Sequence, residues 1–194
     1  MENNQIQKAV EVLKNGGVIA YPTETIYGLG ADIFNEKAVQ KIFNLKGRSF
    51  DKPLSVMVSS FDMIENIAVV SDENRVLIRK LLPGSVTVLL LKKDNVLDII
   101  TRGSKLIGIR FPKKEEAREA IEIIEQAGFP IIATSANISG EKEASSADEI
   151  NLAVDFIVKG ECKYKIVSTV VDLIDKKILR EGIDIYKTKK VLGV

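Results

Sequence analysis

Apolar positions recur at helical spacing in several stretches of the chain. Ile6, Val10 and Leu13 lie three or four residues apart, which predicts an N-terminal helix that ends at Gly16-Gly17. Residues 114–127, KEEAREAIEIIEQA, have the clearest amphipathic pattern, and a glycine follows them. Other predicted helices are 36–45 after the N-cap Asn35, 61–67, 72–82 after the N-cap Ser71, and a short one at a Ser146/Glu149 capping box.

Short apolar runs rich in β-branched residues predict the strands. The run 86–91 is long enough for a central strand that is covered on both faces. Further strands are predicted at 18–21, 55–58, 107–111, 130–133, 155–158, 169–173 and 177–181. Helices and strands interleave, but several strands follow one another directly. The pattern therefore predicts one α/β domain with a twisted, mixed β-sheet flanked by helices. We expect a core of about residues 6–182 and a basic, loosely held tail at 183–194.

The charge of the chain is balanced overall but uneven locally. There are 28 basic and 27 acidic residues, giving a formal charge of +1. The segment 37–50 nevertheless contains Lys37, Lys41, Lys46 and Arg48 and no acid. This favours a site for a compact anion over a generally basic surface. The alternative is a solvated helix end, because cations favour helix C-termini.

The composition excludes several kinds of chemistry. The chain has no histidine and one cysteine, Cys162, so it cannot form a Ser-His or Cys-His nucleophile pair or an internal disulfide. Any metal should be a hard cation such as Mg²⁺, held by oxygens and carried in by phosphates. The single cysteine, the lack of a signal-peptide core and the lack of a long apolar run predict a cytoplasmic protein with no membrane partner.

Four polar clusters interrupt the otherwise apolar strands or follow them. They are Thr23-Glu24-Thr25, Arg110, Thr134 to Asn137, and Ser168-Thr169. Polar groups at strand ends line ligand sites in open α/β sheets. Each cluster has a structural alternative, namely a turn or a paired structural cation. No glycine precedes a lysine, so a Walker A loop is excluded, and the Gly28-x-Gly30 pair lacks a third glycine of a dinucleotide fingerprint.

The order of several motifs resembles a known family. GGVIAYPTETIYGLGAD, LKGRSFDKPLSV, LPGSVTVLL, IGIRFP, TSANISG, STVVDL and LREG occur as in the YrdC-like threonylcarbamoyladenylate synthases, over about residues 6–182. The family's Lys-x-Arg…Ser-x-Asn set is similar to Lys46, Arg48, Ser135 and Asn137 here. The resemblance implies a YrdC-like fold and a nucleotidyltransferase that makes threonylcarbamoyl-AMP and pyrophosphate from L-threonine, bicarbonate or CO₂, and ATP with Mg²⁺. The product would pass to threonylcarbamoyl-transfer proteins that modify tRNA.

The resemblance also implies roles for individual residues. Lys46 and Arg48 would be catalytic, Thr25, Arg110 and Ser168 would bind threonine, and Arg48, Lys52, Ser135, Asn137 and Arg180 would bind the nucleotide. No protein metal ligands are implied. These residue types suit the reaction, since an anionic carbamate must meet an anionic phosphate and cations compensate the charge.

The sequence differs from the family pattern at a few positions, and two other functions are alternatives to the synthase. Met57 stands where some relatives carry histidine, and Ile166-Val167 stands where a proline before the serine is common. The chain ends soon after LREG, as in the short, single-domain members. One alternative is a YciO-like RNA-binding paralogue without synthase activity. Another is a carbamoyl transferase of hydrogenase maturation, which would be much larger. The charge of +1 argues against tight RNA binding, so any contact with tRNA should be weak or indirect.

Overall fold

The computed structural model of the chain describes residues 2–47, 53–164 and 166–194. Its elements follow in the order α1 (Glu2–Lys14), β1 (Ile19–Tyr21), β2 (Gly28–Gly30), α2 (Glu36–Lys46), β3 (Ser55–Met57), α3 (Phe61–Ile67), β4 (Ala68–Val69), α4 (Asp72–Leu81), β5 (Gly84–Lys92), α5 (Asp98–Thr101), β6 (Leu106–Phe111), α6 (Arg118–Ala127), β7 (Ile131–Ser135), β8 (Phe156–Ile157), β9 (Thr169–Asp172), β10 (Lys177–Arg180) and α7 (Ile185–Leu192). A single 3₁₀ turn, Ala147–Glu149, lies between β7 and β8.

The strands form one mixed sheet in the order β10-β9-β5-β6-β3-β7-β2-β1-β8, and β4 also pairs with β5. The pairs β5–β9, β3–β6 and β1–β8 are parallel, whereas the other pairs are antiparallel. The predicted α/β fold with a mixed sheet flanked by helices is therefore confirmed. Parallel β3 and β6 lie side by side near the middle of the sheet, with Ser55 opposite Gly108 and Met57 opposite Arg110.

Successive side chains along a strand point to opposite faces of the sheet, and both faces are buried. In β1, Ala20 belongs to one apolar cluster, while Ile19 and Tyr21 belong to the other. In β3, Val56 and Met57 divide in the same way, as expected for a period of two. Helices α1 and α6 pack together over the Tyr21 face, and α2, α3 and α4 cover the opposite face. Met57, one of the departures from the family, is thus fully buried in the core.

Two of the predicted helix caps are confirmed, and the third is wrong. The side chain of Asn35 accepts a hydrogen bond from the amide of Ala38 at 3.1 Å, and Ser71 caps α4. The predicted short helix begins after Ser146 as a 3₁₀ turn, but the Ser146 side chain makes no capping hydrogen bond. The Glu149 carboxylate instead accepts from the amide of Ser145 at 2.6 Å and from its hydroxyl at 3.1 Å. Because only one 3₁₀ turn follows Ser146, the Glu149 carboxylate binds Ser145, one residue before the predicted partner Ser146.

The C-terminal segment differs from the expected loosely held tail. Residues 185–192 form α7, which packs against α4, with Thr188 fully buried. The carboxylate of Asp184, immediately before α7, accepts from the amide of Ser85 at 3.0 Å. The many lysines in this segment suggested solvation. Only a few apolar residues, among them Val191 and Leu192, contact the core.

Candidate active site

A small polar cavity of about 190 Å³ opens where the ends of β6, β7 and β9 meet the loop after β1. Its polar and charged lining residues are Thr25, Ser55, Thr87, Arg110, Thr134, Ser135, Glu143, Ser168 and Arg180. The structure thus brings together the three residues predicted for threonine, Thr25, Arg110 and Ser168. The volume is below the roughly 300–1,000 Å³ of pockets for drug-sized ligands, so it suits a metabolite of a few heavy atoms.

Arg110 is held in place from behind by the loop after β1. One of its terminal nitrogens, Nη2, forms an ion pair with Oε1 of the fully buried Glu24 and donates to the Thr25 hydroxyl at 3.0 Å. Among the described residues, Oε2 of Glu24 and Nε of Arg110 have no hydrogen-bond partner. Breaking a buried pair of this kind leaves an uncompensated charge, which is strongly destabilising. Glu24 is therefore the residue that orients the Arg110 guanidinium towards the cavity.

The Thr25 hydroxyl has a defined orientation. Thr23 Oγ1 donates to the carbonyl of Ile26 at 2.7 Å, so its only proton is already used. The 2.9 Å contact between Thr23 Oγ1 and Thr25 Oγ1 must then be donated by Thr25. Thr25 Oγ1 in turn accepts from Arg110. The turn-closing alternative thus holds for Thr23, whereas Thr25 links the turn to the cavity.

A second wall of the cavity is built from β5, β9 and β10. Ser168, buried just before β9, exchanges a hydrogen bond with Thr87 of β5 at 2.9 Å between the hydroxyl oxygens. Arg180 donates from Nε to the Ser168 carbonyl at 3.1 Å and from Nη2 to its hydroxyl at 3.2 Å. Burial, and then the positive charge of Arg110, lower the pKa of Arg180 below its ordinary value. Two guanidinium groups facing one small cavity favour an anionic ligand group.

Gly182 fixes this wall from the outside. A side chain there would place its Cβ 2.6 Å from the carbonyl carbon of Ser168 and 2.7 Å from the Ser168 oxygen. The amide of Gly182 and the carbonyl of Ile183 both bind the Thr169 hydroxyl, at 3.1 and 2.6 Å. The segment between β10 and α7 therefore packs directly on the backbone that carries Ser168.

A second, more open cavity of about 410 Å³ contains Lys46, Ser135 and Asn137. Lys46 ends α2 and is almost fully buried, and its Nζ donates to the carbonyls of Ser135 at 2.5 Å and Asn137 at 2.9 Å. The Ser135 hydroxyl donates to Asn137 Oδ1 at 2.6 Å. Residues about 90 positions apart thus converge, as predicted. Arg48 and Lys52, the remaining predicted cations of this site, lie outside the described residues.

The two cavities are contiguous because Ser135 and Glu143 line both. Arg180, predicted to bind the nucleotide, faces the smaller cavity beside Ser168, whereas Ser135 borders both cavities. The arrangement offers one polar compartment for a small anion-bearing molecule and a larger one next to it. The roles of the individual residues stay predictions.

Sequence reasoning missed several residues of the site. Thr87 is a lone hydroxyl in the apolar run of β5, which could have marked it. Glu24 belonged to a recognised polar cluster, but its pairing with Arg110 depends on contact between residues 86 positions apart. Glu143 lies in a polar loop in which nothing distinguishes it from Glu141 by sequence.

Comparison with known proteins identifies the class of protein. A family model described as "Telomere recombination", covering the Sua5, YciO and YrdC proteins, matches residues 11–182. The chain therefore belongs to the Sua5/YciO/YrdC family.

Two relatives within this family are named as threonylcarbamoyl-AMP synthases. A Methanocaldococcus jannaschii protein, named as a candidate threonylcarbamoyl-AMP synthase, is 39% identical over 94% of this chain and 90% of its own length. The threonylcarbamoyl-AMP synthase of Pyrococcus abyssi is 37% identical over the whole chain, which spans 58% of that relative's length.

Solved structures agree with these sequence matches. A crystal structure of P. abyssi Sua5 complexed with L-threonine superposes with a TM-score of 0.91 at 35% identity, covering 100% of this chain and 58% of that chain. The crystal structure of Escherichia coli YciO gives a TM-score of 0.80 at 27% identity, with 93% and 90% covered.

Proposed function

We propose that the chain is an L-threonylcarbamoyladenylate synthase, which forms threonylcarbamoyl-AMP and pyrophosphate from L-threonine, bicarbonate or CO₂, and ATP. The observation that carries this proposal is the junction of two cavities at Ser135. One cavity has two guanidinium groups and six hydroxyl side chains, a lining suited to a small amino acid. The other contains the Lys46, Ser135 and Asn137 set. The names of the relatives, and the threonine bound to the P. abyssi protein, support the same activity.

The smaller cavity would hold the threonine. Its carboxylate would lie between Arg110 and Arg180, because charge-assisted, bidentate hydrogen bonds are the strongest that a carboxylate can make. Its hydroxyl would meet the hydroxyl groups of Thr25 and Ser168. Glu24 contributes indirectly, since its buried carboxylate keeps Arg110 from turning away.

The larger cavity would hold the nucleotide. Here Lys46 acts first as a positioning group, since its ammonium binds the carbonyls of the loop that carries Ser135 and Asn137. We expect Arg48 and Lys52 to add positive charge next to the phosphates, whereas Arg180 lines the smaller cavity. The described residues contain no group of three metal-ligating side chains. Mg²⁺ would arrive as part of the MgATP substrate and would supply positive charge for the leaving pyrophosphate.

The reaction requires contact between the two compartments. The threonine ammonium loses one proton to solvent, and the free amine bonds to the carbon of CO₂ and releases a second proton, which gives the carbamate. A carbamate oxygen then attacks the α-phosphorus, and the bond from that phosphorus to the departing pyrophosphate breaks. Holding both reactants in line replaces a collision between two anions by a step within one complex. The bond between the carbamate oxygen and the α-phosphorus would form where the two cavities meet, next to Ser135 and Glu143.

Partners and location follow from the same proposal. The activated product would serve threonylcarbamoyl-transfer proteins that act on tRNA, and direct tRNA contact would be weak. No helix of the described residues is long and apolar enough to cross a bilayer. We propose a cytoplasmic location, where ATP and threonine are available.

The test is release of pyrophosphate from ATP with Mg²⁺ and bicarbonate. We expect release to depend on L-threonine and to stop when bicarbonate and CO₂ are removed. Release that is independent of threonine would contradict the proposal. Tight binding of double-stranded RNA without any synthase activity would favour the YciO-like alternative.

A further inference from the structure

The loop after β7 carries a carboxylate at the junction of the two cavities. Glu143 lines both of them, together with Ser135. We propose that Glu143 binds the α-ammonium group of the amino acid substrate before carboxylation. The inference rests on the proposed function, because it assigns a residue to one end of the threonine.

The charges around the smaller cavity leave one candidate for this task. An amino acid is a zwitterion, so a site that reads it needs cations for the carboxylate and an acceptor for the ammonium. Among the described residues that line the cavity, the charged side chains are Arg110, Arg180 and Glu143. Glu24 is fully buried behind Arg110 and paired with it. Among the described residues, Glu143 is therefore the carboxylate that a ligand in this cavity can meet.

The Glu143 side chain is available, while its backbone is held. Within the described parts of the chain, its carboxylate makes no hydrogen bond or ion pair. It interacts electrostatically with the positive charge of Arg180. On one side, the side-chain Nδ2 of Asn137 donates to the Glu141 carbonyl at 2.6 Å. On the other, the carbonyl of the buried Ala144 accepts from the amide of Tyr27 at 2.9 Å. The carboxylate can thus turn towards a ligand without a change in the loop.

The position of Glu143 also matches the geometry that the reaction needs. The carbamate is built on the amino nitrogen, and its oxygen must reach the α-phosphorus in the neighbouring compartment. The nitrogen must therefore lie at the junction, while the amino acid carboxylate lies deeper, by Arg110 and Arg180. A carboxylate at the junction attracts the ammonium but repels phosphates, so removing its charge should weaken amino acid binding and should not weaken ATP binding.

The experiment compares two ligands by isothermal titration calorimetry. They are L-threonine and 3-hydroxybutyrate, which is threonine without its amino group. We expect Glu143→Gln to weaken threonine binding about tenfold, the lower end for a charge-assisted hydrogen bond because the residue is exposed. Glu143→Lys should weaken it further. Binding of 3-hydroxybutyrate should change by less than about twofold in Glu143→Gln.

The matched control is Glu141→Gln. Glu141 is an exposed glutamate of the same loop, and it lines the larger cavity but not the smaller one. The Glu141→Gln variant should bind both ligands as the wild type does. The inference is wrong if Glu143→Gln weakens both ligands equally, if it weakens neither, or if it weakens MgATP binding alone, as a metal ligand would. If those outcomes occur while the wild-type protein still makes pyrophosphate with threonine, the proposed function stands. A wild-type protein that does not bind threonine would contradict both.

Discussion

The contact of Gly182 with the backbone of residues 167–168 yields the sharpest mutational prediction. In Gly182→Ala the new Cβ would meet the Ser168 carbonyl carbon at 2.6 Å, and the Val167 carbonyl oxygen is closer still. Ordinary contact begins at 3.4 Å, so the two segments must separate by at least about 0.8 Å. All the crowded atoms belong to the backbone, and no side-chain rotation relieves them.

That displacement would reach the cavity through Ser168. Its hydrogen bonds to Thr87 at 2.9 Å and to Arg180 at 3.1 and 3.2 Å would stretch to or beyond the limit of about 3.5 Å. Arg180, which Ser168 holds, would then no longer face the threonine carboxylate. Losing that charge-assisted hydrogen bond costs about 1.5–3 kcal/mol, so KM for threonine should rise about tenfold or more. Overpacking should also lower stability by about 1–3 kcal/mol. For a chain of this size, the melting temperature should fall by about 2–12 °C.

Steady-state pyrophosphate release at varied threonine, together with thermal unfolding, measures both effects. The control is Gly103→Ala, where φ is +78° and nothing lies within 4 Å of the new Cβ. It should lose about 1 kcal/mol from backbone strain and keep the wild-type KM. If Gly182→Ala lowers the melting temperature but leaves KM unchanged, the segment does not position the Ser168 wall. If neither quantity changes, the crowding argument itself is refuted.

Three further predictions concern the site and its surroundings. Arg48→Ala should lower kcat/KM by about tenfold to a hundredfold, with an unchanged melting temperature, and an unchanged rate would remove Arg48 from the site. In competition with labelled threonine, serine should be a poor substrate, with kcat/KM about 10- to 200-fold lower than that of threonine. Valine should be rejected more strongly, because it has no hydroxyl and leaves a hydrogen-bonding partner such as Thr25 unpaired. If valine competes as well as threonine, the pocket recognises shape alone. Burial alone would raise the pKa of Glu116, but hydrogen bonds from Tyr164 and Lys163 outweigh it and lower the pKa. The stability from Glu116 is thus complete above its ordinary pKa of 4.5 and is lost as the pH falls below it. Glu116→Gln should therefore destabilise the protein at pH 7 in urea unfolding, by an amount that shrinks in acid, and a pH-independent difference would refute the pKa argument.

The sequence predicted most of the sheet, because apolar runs report burial directly. The exception that best shows the limit is β2, which reads Gly-Leu-Gly and has no β-branched residue. Its glycines lie under the ring of Tyr21, with which their hypothetical Cβ atoms would collide at 3.2 and 2.9 Å. Those glycines are needed for close packing between paired strands, and a linear sequence does not show which ring will lie over them.

The site could be predicted only as far as its motifs reached. The convergence of Lys46 with Ser135 and Asn137 followed from resemblance. The binding of the Lys46 ammonium to backbone carbonyls did not, since carbonyls carry no sequence information. Glu143 could not be found from sequence, because its importance comes only from facing two cavities at once.

The most direct test of the central claim is the identity of the nucleotide product. The protein is incubated with ATP, Mg²⁺, L-threonine and bicarbonate labelled with heavy carbon, and the products are separated and weighed by mass spectrometry. We expect a nucleotide with the mass of threonylcarbamoyl-AMP that carries one heavy carbon, formed in equal amount with pyrophosphate. Release of pyrophosphate with AMP or threonyl-AMP, and with no labelled carbon in the nucleotide, would contradict it.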